Sequence, residues 1–156
     1  MAALGLIVAW TTAATVFLLP HEGRARRIPP EEICRNRLKG IGNGIAMYQA
    51  ENTDAFPPDL TALVDEFHVD EKQLVCPVKG SVGIHSFYVP RPTPRPGAGV
   101  DPHQSRTVLA CDFKDNHAAG PLGRNVLFLD GHVDMLDEPA FQALLAQGEN
   151  AAFAAA

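Results

Sequence analysis

The chain has 156 residues, which is enough for one compact domain of roughly 100 to 150 residues and too few for a second core. Its formal net charge is −5 and it has no extended basic stripe. These features argue against nucleic-acid binding, because such binding rests on Lys and Arg side chains that neutralise phosphates. Three cysteines, Cys34, Cys76 and Cys111, are too few and too widely spaced for a zinc finger.

Residues 1–20 are predicted to form an apolar anchor. They carry no charge, and a helix needs about 20 apolar residues to cross a bilayer. Residues 21–30 follow as a juxtamembrane linker that contains the cluster Arg24, Arg26 and Arg27. The segment therefore predicts a transmembrane helix, with a cleaved signal peptide as the alternative.

The stretch between Pro29 and Asn52 has the periodicity of an amphipathic helix. Its apolar side chains recur every three or four positions, at Cys34, Leu38, Ile41, Ile45 and Tyr48. Three glycines on this helix predict close approach of a sheet or a neighbouring helix: Gly40, Gly42 and Gly44. The helix is predicted to end at Phe56-Pro57-Pro58, and Asp59 is predicted to cap a second, short helix over residues 60–67.

After Cys76 the pattern changes to short β-type runs at residues 84–89, 107–112, 125–129 and 132–136. Asp130-Gly131 predicts a two-residue hairpin between the last two strands, and hence an antiparallel meander. Alternation along the second strand predicts that Cys111 shares a face with Leu109. A helix over residues 139–147 should cover the sheet edge or one face, and residues 151–156 should be a flexible tail. The fold class is α+β, with one domain over residues 31–150.

Four passages resemble the pilin-like proteins of the planctomycete type, which carry a His then Asp-Gly signature near the C-terminus and a prepilin-type processing-associated domain. They lie at residues 34–60, CRNRLKGIGNGIAMYQAENTDAFPPDL; 74–77, LVCP; 108–117, VLACDFKDNH; and 123–136, GRNVLFLDGHVDML. The resemblance implies a pilin-like fold, in which a long N-terminal helix packs on a small antiparallel β-sheet. It also implies a structural or assembly role as a pilin or pseudopilin, linked to type II secretion or to a type IV pilus-like filament, and no enzymatic activity.

The partners and location that the resemblance implies are a membrane and other pilin-like subunits or secretion machinery. The protein would then be a single-pass inner-membrane protein with its soluble domain in the periplasm or the cell exterior. The basic cluster argues against this orientation. The positive-inside rule places the arginines, and hence the C-terminal side of the anchor, in the cytoplasm. The chain also lacks the glycine-phenylalanine-threonine processing motif of pilins, so a monomeric membrane-bound relative stays open.

One stretch is dense in potential metal ligands, and from it we select Asp112, Asn116, His117 and Asp130. Oxygen ligands on loops suit calcium, whereas His with carboxylates suits zinc or manganese. Type II secretion pseudopilins hold a structural calcium near their C-terminal loops, so the resemblance implies calcium here. The alternative is that Asp130 is a turn residue and that Asn116 and His117 hydrogen-bond to the backbone.

Cys34 lies on the helix seam and Cys76 follows the second helix, so the two could meet and form a disulfide in an oxidising compartment, with buried free thiols as the alternative. No catalytic residue is predicted, because the chain contains no GxSxG, no HExxH and no Gly-rich phosphate loop. His132 and Asp134, two residues apart on a strand, would share a face as a solvated pair or an acid–base pair. The competing hypothesis is a membrane-tethered metal-dependent hydrolase or ligand-binding domain.

Overall fold

The structure, a computed structural model, describes residues 28–77, 86–92, 99, 101–114, 116 and 123–156. In this part of the chain a long helix packs against a four-stranded antiparallel sheet, and two short helices follow near the C-terminus. The predicted α+β class, with a helix on a small antiparallel sheet, is therefore confirmed.

Helix α1 runs from Pro30 to Glu51 and begins as the sequence predicts. Proline costs no hydrogen bond in the first turn, and Glu31 and Glu32 lie at the positive end of the helix dipole. The helix stops before the predicted Phe56 exit, because Thr53 and Asp54 adopt positive φ angles of 57° and 61°. The side chains buried along one stripe of α1 include Cys34, Leu38, Ile41 and Ile45.

Two 3₁₀ helices, Leu60–Leu63 and Glu71–Leu74, connect α1 to the sheet. The predicted cap at Asp59 is confirmed, since its carboxylate accepts hydrogen bonds from the backbone N–H groups of Thr61 and Ala62. The predicted continuation to residue 67 is wrong. The chain leaves helical geometry after Leu63, and Asp65 has a φ of 66°.

The strands of the sheet are β1 (Ser86–Tyr88), β2 (Val108–Asp112), β3 (Arg124–Phe128) and β4 (Val133–Leu136). Neighbours in the chain are neighbours in the sheet, and every pair is antiparallel. This arrangement confirms the predicted meander.

The β3–β4 turn differs from the predicted two-residue hairpin. Phe128 N–H donates to the His132 carbonyl over 3.0 Å, and Gly131 N–H donates to the Phe128 carbonyl over 2.9 Å. Three residues, 129–131, therefore form the loop. Within it only Gly131 has a positive φ, 87°, whereas a two-residue type I′ turn requires two such residues.

A β-bulge in β2 changes which face Cys111 occupies. The register with β3 shifts between Val108 and Ala110. As a result Leu109 and Ala110 both join the core on the α1 side, while Val108 and Cys111 join the core on the opposite side. The prediction that Cys111 shares a face with Leu109 is wrong, because strict alternation does not survive the extra residue.

The sheet is covered on both faces. Helix α1 and the 3₁₀ helices bury one face, and helices α2 (Glu138–Leu145) and α3 (Ala151–Ala154) bury the other. Phe153 of α3 is 7% exposed and packs edge-to-face on Phe87 with ring centroids 5.1 Å apart. The predicted flexible tail at residues 151–156 is thus corrected, because this aromatic ring docks the last turn on the sheet.

The predicted anchor at residues 1–20 and most of the linker at residues 21–30 lie outside the described residues. Among those that are described, no helix is long and apolar enough to span a bilayer. That finding runs against the predicted transmembrane helix and the single-pass inner-membrane location.

Candidate functional site

Buried polar side chains gather where β2 ends beside the first turns of α1. Asp112 and Asn116 are 2% and 1% exposed, and Asn125 of β3 is fully buried. Asn125 Nδ2 donates to Asp112 Oδ2 over 2.8 Å and to the Glu31 carbonyl of α1 over 3.3 Å. A buried carboxyl group is costly unless it is hydrogen-bonded, so Asn125 stabilises Asp112 and joins the sheet to the helix.

Two cysteine side chains lie in the same cluster. Cys34 Sγ of α1 is 3.7 Å from Cys76 Sγ, and Cys76 Sγ is 3.6 Å from the Asn116 carbonyl oxygen. Both thiols are free. Burial, followed by the nearby Asp112 and Cys76, raises the pKa of Cys34 well above its ordinary value, while Arg37 acts in the opposite direction. The thiol form of Cys34 is therefore strongly favoured at neutral pH.

A small cavity borders the two cysteines. Its lining includes Arg37, Ser86 and Asp112, and its accessible space is about 10 Å³. That space suits one water molecule and is far below the roughly 300 to 1,000 Å³ of pockets that bind organic ligands. The cavity has room for a water molecule beside the thiols and no room for an organic substrate.

Arg37 joins the helix to the rim of this cluster. Its guanidinium donates a hydrogen bond to the Val75 carbonyl, immediately before Cys76. This contact holds the segment that carries Cys76 against α1. The positions of the two sulfur atoms thus depend on the packing of α1 and on the hydrogen bond from Arg37, which lies one helical turn after Cys34.

The structure separates the residues selected as metal ligands. Asp112 and Asn116 lie in the buried cluster, and His117 lies outside the described residues. Asp130 is at the opposite end of the sheet. Because β2 and β3 are antiparallel, Asp112 lies near the start of β3, whereas Asp130 follows its end, roughly 15 Å away at about 3.4 Å per residue. The structure therefore does not bring Asp112 and Asp130 together.

Asp130 has the turn role that was the alternative prediction. Its Oδ1 accepts a hydrogen bond from His132 N–H over 3.1 Å and lies 2.5 Å from His132 Nδ1. The His132 ring stacks on Phe128 with centroids 4.2 Å apart, and its Nε2 is 4.0 Å from Asp134 Oδ2. Burial acts to raise the pKa of Asp130, but the hydrogen bonds and charge of His132 outweigh it and lower that pKa. Together the contacts of His132 stabilise the hairpin at the protein surface.

Within the described residues, no three His, Cys, Asp or Glu side chains are grouped so that they could hold a metal ion. Calcium binding stays a prediction.

Sequence reasoning missed two members of the cluster, Arg37 and Asn125. Arg37 is three residues from Cys34, and such pairs adjoin on a helix surface. Asn125 is the second residue of a strand whose later residues are apolar, and a buried polar side chain among them requires a partner. Both signals were present in the chain.

Comparison with known proteins adds no relative, since no family model, curated protein or solved structure matches this chain.

Proposed function

We propose that the protein is a pilin-like assembly subunit, a structural component of a pseudopilus or of a type IV pilus-like filament. The observation that supports this proposal is the arrangement of α1. The 22-residue helix buries one continuous stripe against an antiparallel meander. The proposed subunit would use this packing to present the opposite side of the helix to a neighbouring copy.

The outer side of α1 has a regular surface. Asn36, Lys39, Asn43, Ala46 and Ala50 are exposed, and their spacing alternates between three and four residues. Short side chains at Asn43 and Ala46 permit another helix to approach closely, and the alternating spacing is that of helices that pack at a shallow angle. A second copy of the chain is the occupant that we propose for this surface.

The competing hypothesis, a metal-dependent hydrolase or ligand-binding domain, has no supporting contact in the described part of the chain. Its candidate residues Asp112 and Asp130 lie at opposite ends of the sheet, and the cavity beside Asp112 has room for one water molecule. The assembly role requires neither converging ligand residues nor a substrate pocket.

Photo-crosslinking of the full chain tests the proposal. A photoreactive amino acid at Asn43 should give covalent dimers and higher species. The same amino acid at Ala143, an exposed position on α2, is the matched control and should give few. Equal yields at the two positions, or no adducts at Asn43 at high protein concentration, would count against assembly through α1.

A further inference from the structure

We infer that Cys34 and Cys76 form a reversible dithiol–disulfide pair that links α1 covalently to the segment following the Glu71–Leu74 helix. The two sulfur atoms are 3.7 Å apart, although 42 positions separate the residues in the chain. A disulfide requires a sulfur–sulfur distance of about 2.05 Å, so the atoms must approach by little more than ~1.6 Å. We expect side-chain rotation, with a small shift of the Cys76 segment, to close this gap.

The third cysteine supplies an internal comparison. Cys111 is also buried, 1% exposed, but it belongs to the core on the opposite face of the sheet from Cys34. Burial raises the pKa of Cys111 to about 12, and the neighbouring Arg124 opposes that effect. The fold therefore brings one pair of thiols together and keeps the third apart.

The surroundings of the pair suit thiol exchange better than those of an apolar core. The cavity that borders both sulfur atoms is lined by polar side chains, and Arg37 and Ser86 on its wall are only partly buried. A small opening of the Cys76 segment, which Arg37 holds by one hydrogen bond to Val75, would admit a reagent. Burial, followed by Asp112 and Cys76, raises the pKa of Cys34 and Arg37 only partly opposes this, so we expect the exchange to be slow and to speed up as the pH rises.

The reaction requires an oxidant, which we assign to the class of small-molecule or protein disulfides. One cysteine thiolate attacks the disulfide of the oxidant, forms a mixed disulfide and releases the first thiol of the oxidant. The second cysteine attacks the mixed disulfide at the protein sulfur and releases the second thiol. Two protein thiols are oxidised, the oxidant disulfide is reduced to two thiols, and the two protons leave with those thiols. A dithiol reverses the reaction.

This inference is independent of the proposed assembly role, because it concerns the link between α1 and its own domain. The test uses the full chain in its reduced form, incubated with oxidised glutathione under conditions where circular dichroism shows it to be folded. Free thiols are then blocked with maleimide and counted by mass spectrometry. We expect the number of free thiols to fall from three to one, and a digest to contain one peptide joining Cys34 to Cys76. Dithiothreitol should restore all three.

Two variants are the matched controls. Cys111→Ala should still lose both remaining thiols, whereas Cys76→Ala should form no intramolecular bond. The wild-type chain in urea is a third control, in which we expect mixed pairings that include Cys111, because the folded geometry no longer selects partners. The inference is overturned if the folded wild type retains three free thiols, carries only single glutathione adducts, or forms its bond through Cys111.

Discussion

We expect the side chain of Asn150 to make a large contribution to holding helices α2 and α3 on the sheet. It is 1% exposed and makes three hydrogen bonds to backbone groups of three other segments. Its Oδ1 accepts from Val108 N–H over 2.8 Å, and its Nδ2 donates to the carbonyls of Arg106 and Leu144 over 2.9 and 3.0 Å. Asn150→Ala removes all three bonds and leaves the buried Val108 N–H without its acceptor.

The expected loss follows from the cost of unpaired buried groups. Each such group costs about 1 to 3 kcal/mol, and the Arg106 carbonyl is partly accessible to water, so we expect Asn150→Ala to lower the free energy of unfolding by about 2 to 4 kcal/mol. With an m-value near 2 kcal/mol/M, the urea midpoint should fall by about 1 to 2 M.

Urea unfolding followed by circular dichroism measures this loss. Asn43→Ala, an exposed asparagine on α1, is the control and should change stability by less than about 0.5 kcal/mol. Asn150→Asp retains the acceptor for Val108 but places a carboxylate beside two carbonyl oxygens, so it should not restore stability at neutral pH. If Asn150→Ala unfolds at the same urea concentration as Asn43→Ala, the role assigned to Asn150 is refuted.

Two further predictions concern the edge of the sheet near β4. Gly123→Ala would drive a methyl group into the Leu136 carbonyl and should destabilise the protein by about 1 to 3 kcal/mol or more in urea unfolding, whereas Gly148→Ala, with open space around it, should be nearly neutral. The Arg124 guanidinium, 3.0 Å from Glu138, holds the pKa of Glu138 below its usual 4.5, so this stabilisation is present above pH 4.5 and lost as the pH falls through the lowered pKa. Urea midpoints measured from pH 7 to pH 3 should therefore show a smaller acid-induced loss for Glu138→Gln than for wild type, and identical profiles would contradict the assignment.

Helix α1 could be predicted because its signal is local. Its apolar stripe repeats with the helical period, and the structure buries Cys34, Leu38, Ile41 and Ile45 as expected. Its glycines also have the predicted use. A Cβ on Gly42 would lie 3.0 Å from Leu127 of β3, so the helix approaches the sheet closely at that point.

The bulge in β2 and the docking of α3 could not be predicted in the same way. Which face Cys111 occupies depends on the register with β3, and that register is set by long-range pairing. Phe153 is a single aromatic residue in an alanine-rich tail, so no periodicity marked it as a core residue. Its burial depends on the space beside Phe87.

The candidate site was predicted in its parts but not as a whole. Asp112 and Asn116 were selected as polar residues in a dense stretch, and Cys34 and Cys76 as a pair; the structure brings all four into one cluster. Asp130 was assigned to it wrongly. In an antiparallel meander the C-terminal ends of two consecutive strands lie at opposite ends of the sheet. Applied to the predicted strands, this rule would have separated Asp130 from Asp112.

The proposed self-association of the full chain through α1 is tested most directly by sedimentation velocity over a range of protein concentrations. Wild type should form larger species as the concentration rises. Ala46→Arg, which places a long charged side chain on the outer side of α1, should shift the distribution to the monomer, whereas Ala143→Arg on α2 should sediment like wild type. A wild-type chain that stays monomeric, or an Ala46→Arg variant that assembles as wild type does, would contradict the claim.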